Sequence, residues 1–168
     1  MRSYSKISHA LWQSERFNNL PSDDARYLYL FLLTSSHQTS AGAYRLPDGY
    51  ACADLRWPPE RYIKARQQLV DADLLAFDAD CSVIFIRRWF KHNPPMNDSH
   101  LKSIEGELGR LSSETLAQIA MAELAEAQSD IEVEKMARAN RNRKPGQASA
   151  LGQGAGIPAR FQTNLLSR

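Results

Sequence analysis

Residues 42–88, GAYRLPDGYACADLRWPPERYIKARQQLVDADLLAFDADCSVIFIRR, carry the reading that decides the fold. Residues 43–46 suit a short strand, and residues 49–55 are short and half apolar, as a packed helix needs to be. Arg56, Trp57 and Pro58 have the length of a tight turn. Pro59 and Glu60 fit the first turn of a second helix: proline lacks only an N–H that has no intrahelical partner there, and an acid meets the positive end of the helix dipole. That helix closes on Leu69, Ala72 and Leu74. Beyond it LLAFDA and SVIFIR alternate at strand period around residues 78–81, a hairpin with a polar tip. Strand, helix, tight turn, helix and hairpin in that order predict a winged helix-turn-helix, the hairpin forming the wing.

The flanks fill in an α+β, mainly α chain. Residues 22–33 predict a helix with Ser22 as N-cap and Asp23 and Asp24 in its first turn. Tyr27, Leu28, Leu30, Phe31 and Leu32 make it apolar nearly all round, so it belongs at the centre. Residues 4–7 suit a short strand, residues 10–18 a loop or helical turn, and residues 35–41 a polar loop. Asn93, Pro94 and Pro95 break any continuing strand, which bounds a winged-helix domain at residues 1–97. Residues 98–140 predict a helical extension, as one long helix or a pair. Leu101, Ile104, Leu108 and Leu111 recur at helical spacing there, weakened by Gly106 and Gly109 by about 1 kcal/mol each relative to alanine. A new helix start at Ser112, Ser113 and Glu114 leads into Leu116, Ile119, Ala120, Leu124 and Ala127. Residues 141–168 are expected to be a flexible, disordered tail, because PGQASALGQGAGIPAR offers nothing to bury.

At 168 residues and 43% hydrophobic content the chain can bury one real core. A formal charge of +2 does not by itself advertise nucleic-acid binding. Its distribution says more: in residues 105–134 Arg110 is the only base, whereas Lys135, Arg138, Arg141, Arg143 and Lys144 follow with no acid among them. Cys52 and Cys81 are far apart without CxxC or Cys/His spacing, so neither a disulfide framework nor a zinc site is indicated. The first residues lack the apolar core of a signal peptide and no run approaches a membrane span, which predicts a cytoplasmic protein without a membrane partner. In such a compartment the sequon at Asn97 has no meaning.

Helical spacing nominates the DNA contacts. With Tyr62, Ala65, Leu69 and Ala72 facing the core, Arg61, Lys64 and Gln68 project from the opposite face, with Gln67 beside them. Arginine can bind guanine O6/N7 and glutamine adenine N6/N7 in bidentate fashion, while lysine suits a phosphate. The other reading of this set is a solvated helix face. Arg56 in the turn is a phosphate contact or the partner of Asp54 or Glu60. A second basic set, Arg87, Arg88, Lys91 and His92, interleaves with Trp89 and Phe90. Basic and aromatic side chains together suit tracking and stacking on single strands, and the alternative is that the two aromatics cap the core. Trp12, Trp57, Tyr27 and Tyr29 are expected in the core or at its edge. Arg138, Arg141, Arg143 and Lys144 would add affinity for DNA or contact a partner. No catalytic, cofactor or metal site is expected. There is no phosphate-binding G-x-x-x-x-G-K-[ST] loop, the four histidines have no acid or nucleophile at a recognisable spacing, and Asp78 and Asp80 sit on an exposed tip. Gly152, Gly154 and Gly156 follow no strand and open no helix.

The run from Phe17 to Trp57, FNNLPSDDARYLYLFLLTSSHQTSAGAYRLPDGYACADLRW, the junction ARQQLVDADLLAFD and the exit FIRRWFKHNPP together resemble the N-terminal winged-helix domain of phage replication initiation proteins. These form the replisome-organiser and DnaD-like group, and the resemblance covers residues 1–97. It implies recognition of duplex or single-stranded DNA by this domain, and recruitment of the replicative helicase or its loader by the C-terminal part. Arg66 and Asp73 depart from it, standing where winged helices often carry leucine and glycine. The same fold also serves transcriptional regulators, and a protein-binding adaptor working through the acidic helix of residues 112–134 is a third class. Gln162, Leu165 and Leu166 resemble the short Gln-x-x-Leu-Leu peptides that dock on a sliding clamp.

Overall fold

The structure, a computed structural model, describes residues 5–142. It is mainly helical, with one small three-stranded antiparallel sheet. A first compact unit runs to Glu132 and a second begins at Val133, whose described part is the end of a helix.

In the first unit a 3-10 turn at His9–Gln13 leads to α1 (Glu15–Asn18), α2 (Asp23–Thr34), β1 (Ala43–Arg45), α3 (Asp48–Leu55) and α4 (Pro59–Asp71). Then come β2 (Leu75–Asp78), β3 (Val83–Ile86), α5 (Trp89–His92), α6 (Asp98–Leu108) and α7 (Glu114–Asn142), the last crossing into the second unit. Ser22 caps α2 by accepting the Ala25 N–H at 3.2 Å, and Asn97 caps α6 by accepting the His100 N–H at 2.8 Å. The sheet order is β1-β3-β2, with Tyr44 and Phe77 both opposite Ile84. Val83, Ile84, Phe85 and Ile86 are at most 1% exposed, and successive strand residues face opposite sides, so both faces of the central strand are covered.

That double burial corrects the boundary expected at residue 97. Ile104, Leu108, Leu116, Ala120 and Leu124 join the same buried cluster as Leu28, Tyr62 and Phe85, so α6 and the start of α7 belong to the core. Polar ties hold them there: Glu107 Oε2 accepts the Ala41 N–H at 3.0 Å, and the Ser113 hydroxyl donates to Asp78 Oδ2 at 2.6 Å. Other expectations also shift. Residues 5–7 form no strand. Residues 98–140 form two helices, with Gly109 as the C-cap of the first. Ala72 is the half-buried C-cap of α4 rather than a core residue. Trp12 is 62% exposed and Tyr27 58%; Trp12 meets Phe17 edge-on with ring centroids 5.5 Å apart, and Tyr27 lies tilted against Trp57 at 5.6 Å.

Asp73 explains its own departure from glycine. It takes the left-handed region at φ 51°, and Leu74 N–H closes on Leu69 C=O at 3.0 Å, the long-range bond of a Schellman turn. The helix-to-hairpin turn is therefore tight without glycine, at a backbone cost of about 1–2 kcal/mol. The Asp73 carboxylate recovers part of this by pairing with Arg16 at 3.1 Å and Arg87 at 3.3 Å. Arg66, in place of leucine, pairs with Asp48 and lies 3.7 Å over the Phe77 ring, fastening α4 to α3 and β2.

Candidate functional site

The α3–turn–α4 segment carries most of the nominated contacts. Arg56 ends α3 at φ 55°, ψ 41°, and its N–H bonds to Ala53 C=O at 3.3 Å. Its side chain is exposed and makes no ion pair among the described residues, so neither Asp54 nor Glu60 claims it. Pro58 and Pro59 then start α4.

Tyr62, Ala65 and Leu69 are the buried face of α4. Glu60, Arg61, Ile63, Lys64, Gln67 and Asp71 are exposed. At 100° per residue, Glu60, Lys64, Gln67 and Asp71 lie most directly opposite the buried stripe, with Arg61 and Gln68 on its flank. The flank position has a consequence for each. Arg61 grips Asp24 of α2 with Nε to Oδ2 at 2.9 Å and Nη2 to Oδ1 at 2.5 Å, and its guanidinium lies 4.2 Å from the Trp57 ring centroid. The hydrogen bond from Arg61 holds the Asp24 carboxyl below the usual range. Gln68 is half-buried and accepts from the Ser22 hydroxyl at 2.5 Å, so it faces α2 rather than outward, a correction to the expected set. Gln67 is exposed and donates to Asp71 at 2.8 Å. Lys64 is exposed and in no ion pair among the described residues.

The Arg61 and Asp24 side chains are 45% and 39% exposed, so water and salt screen the pair.

The second basic set is not assembled for stacking. Trp89 and Phe90 are 4% and 1% exposed, which is the core-capping alternative. The Trp89 indole N–H donates to Ser40 C=O at 2.9 Å. Arg87 Nε lies 3.0 Å from Glu123 Oε1 and 3.3 Å from Asp73 Oδ1. Arg88, left-handed at φ 59°, gives its backbone N–H to Glu123 Oε2 at 2.6 Å and leaves its side chain exposed. Burial raises the Glu123 carboxyl above its usual range, against the lowering by Arg88 N–H and Arg87. Lys91 and His92 are exposed. Burial, followed by Lys91 and Arg88, lowers the His92 pKa.

Arg138 pairs with Glu134 one turn earlier on α7 at 2.5 Å, and Arg141 is exposed on the same helix. Arg143, Lys144, the expected disordered tail and the clamp-like peptide at Gln162 lie outside the described residues. Cys52 and Cys81 are free thiols. No helix among the described residues is long and apolar enough to cross a membrane. The residues that sequence spacing did not nominate are the acids Asp24, Asp73 and Glu123, each joined to its cation only by the tertiary fold.

Comparison of the chain with protein-family models, with curated proteins and with solved structures finds no match.

Proposed function

We propose that this chain is a DNA-binding protein of winged-helix build, in which the outer face of α4 enters the major groove. The observation that carries the reading is the order α3, tight turn, α4 and hairpin, with the exposed Arg56, Arg61, Lys64 and Gln67 on the turn and helix. In a helix-turn-helix the second helix lies in the groove and its N-terminal residues reach base edges. Arg61 supplies the base contact after leaving Asp24, while Arg56 and Lys64 meet phosphates.

The hairpin tip carries Asp78 and Asp80 and does not suit a phosphate contact. The source of sequence-independent affinity is instead the basic segment beyond Glu132. Residues 5–132 hold 13 Lys and Arg against 18 Asp and Glu, whereas residues 133–168 hold seven against one. The resemblance to phage replication initiators supports a role in replication initiation with recruitment of a helicase or its loader, and transcriptional regulation is the alternative use of the same build. Measuring affinity for a random duplex pool across a salt series tests the reading. Binding that weakens steeply with salt supports it, and absence of duplex binding at low salt rejects it.

A second reading draws on one observation: Arg16, Arg26, Arg61, Arg66 and Arg87 are all paired with acids, while Tyr27 and Tyr50 are 58% and 59% exposed on α2 and α3. That surface suits a protein partner, and a chain that retains a partner while failing to bind duplex belongs to this class.

A further inference from the structure

A cavity of about 180 Å³ lies away from the outer face of α4, between residues 5–16 and residues 86–93. Leu11, Leu33, Leu74, Ile86 and Trp89 give it apolar walls. A dry cavity of about 150 Å³ accepts a benzene-sized molecule, so one ring or one branched apolar body fills this space.

The polar lining has a sign. Lys6, Arg16, Arg87 and Arg88 all border the cavity. Arg16 and Arg87 share Asp73, and Arg87 also meets Glu123, so two carboxylates offset two of the four cations. The exposed side chains of Lys6 and Arg88 have no ion pair among the described residues, and His92 stands beside them. Gln38 also borders the cavity, and its side-chain amide nitrogen and oxygen are both buried without a hydrogen-bond partner. A buried amide with neither group satisfied is costly in a fold that never uses it. A change of its side-chain rotamer would offer a donor and an acceptor to an occupant.

We propose that this cavity binds a small organic anion, a benzene-sized apolar body carrying one carboxylate or phosphate. The body fills the space walled by Leu33, Ile86 and Trp89, the charge meets Lys6 and Arg88, and Gln38 supplies the directional contact. The proposal is independent of how α4 is used.

An NMR titration of the full ¹⁵N-labelled chain with benzoate, phenyl phosphate and benzyl alcohol tests it. Saturable shifts of amides in residues 6–11, 33–38 and 86–93 are expected from at least one anion with a Kd of about 1 mM or tighter, and binding of benzyl alcohol at least about tenfold weaker. The better of the two anions identifies the charged group. The double variant Lys6→Gln, Arg88→Gln changes only exposed side chains, and it should weaken the anion about tenfold while leaving benzyl alcohol unchanged. Gln38→Leu should raise the Tm of the ligand-free protein and weaken the anion. Equal affinity for benzyl alcohol and the anions would reduce the cavity to an apolar void and overturn the proposal. Shifts that do not saturate, or anion affinity unchanged in the double variant, would overturn it too.

Discussion

Gly42 and Trp89 stand against each other because glycine has no Cβ. One added at Gly42 would lie 2.3 Å from the Trp89 ring, and the residue is left-handed at φ +67°. Gly42→Ala therefore combines a steric clash with backbone strain and should lower unfolding free energy by about 2–4 kcal/mol. Urea denaturation measures this, and a loss below about 1 kcal/mol would mean that the contact relaxes without cost. Arg61 poses a functional question at the same scale. Removing the Asp24 charge by Asp24→Asn should tighten duplex binding, since it releases Arg61 and removes a repulsive carboxylate from beside the phosphates. Weaker or unchanged binding in this variant would show that the guanidinium serves the fold alone. Gln68→Ala should instead affect stability more than DNA affinity, because the side chain is held by Ser22.

Elements are joined in this fold by a few polar side chains at their ends. The Ser113 hydroxyl accepts the Leu116 N–H at 3.2 Å as the cap of α7 and donates its proton to Asp78 Oδ2 at 2.6 Å, coupling that helix to β2. Ser113→Ala should lower stability by about 1–2 kcal/mol from the lost cap. The hydrogen bond from Ser113 is the foremost reason the Asp78 carboxyl lies below its usual range, with Cys81 and Asp80 adding to it. Because the folded pKa is depressed, this contribution is present above the unfolded value of about 3.9 and is lost as pH falls through the lower folded pKa. In Ser113→Ala the folded pKa should rise toward the unfolded value, so the loss is smaller and is complete closer to about pH 3.9. A carbon-detected carboxyl titration reads the Asp78 pKa directly, and an unchanged value would remove Ser113 as its cause. Glu123 works in the opposite direction: burial raises its folded pKa, so its contribution is present below the unfolded carboxylate value and fades as pH rises through the raised one.

Much of this element order was legible because its signals are local. Ser22 caps α2, Pro59 starts α4, and the runs LLAFDA and SVIFIR become β2 and β3, although β3 is buried on both faces rather than alternating. The candidate site was less legible, since its state depends on residues remote in sequence. Spacing nominated Arg61, Gln68 and Arg87, but nothing in their own segments announces Asp24, Ser22 or Glu123. The two prolines after Asn93 read as a domain end, whereas the chain turns there and returns Ile104 and Leu116 to the same core.

Across the whole molecule, charge is segregated along the chain: the acidic excess lies within residues 5–132 and the basic excess within residues 133–168. Truncation after Asn140 removes Arg141, Arg143, Lys144, Arg160 and Arg168. Each cation that neutralises a phosphate contributes about 0.9 to the slope of log affinity against log salt, so the truncated chain should show a visibly shallower slope. An unchanged slope would assign the segment to a partner or to no binding at all. The most direct test of DNA reading by α4 is equilibrium binding to the duplex that the full chain selects from a randomised pool. The parent is compared there with Arg61→Ala, Lys64→Ala and Gln67→Ala. Arg61→Ala should lose about 1–3 kcal/mol on that duplex and accept other sequences, while Lys64→Ala should weaken all duplexes alike. Three variants that bind every duplex as tightly and as selectively as the parent would contradict DNA reading by α4.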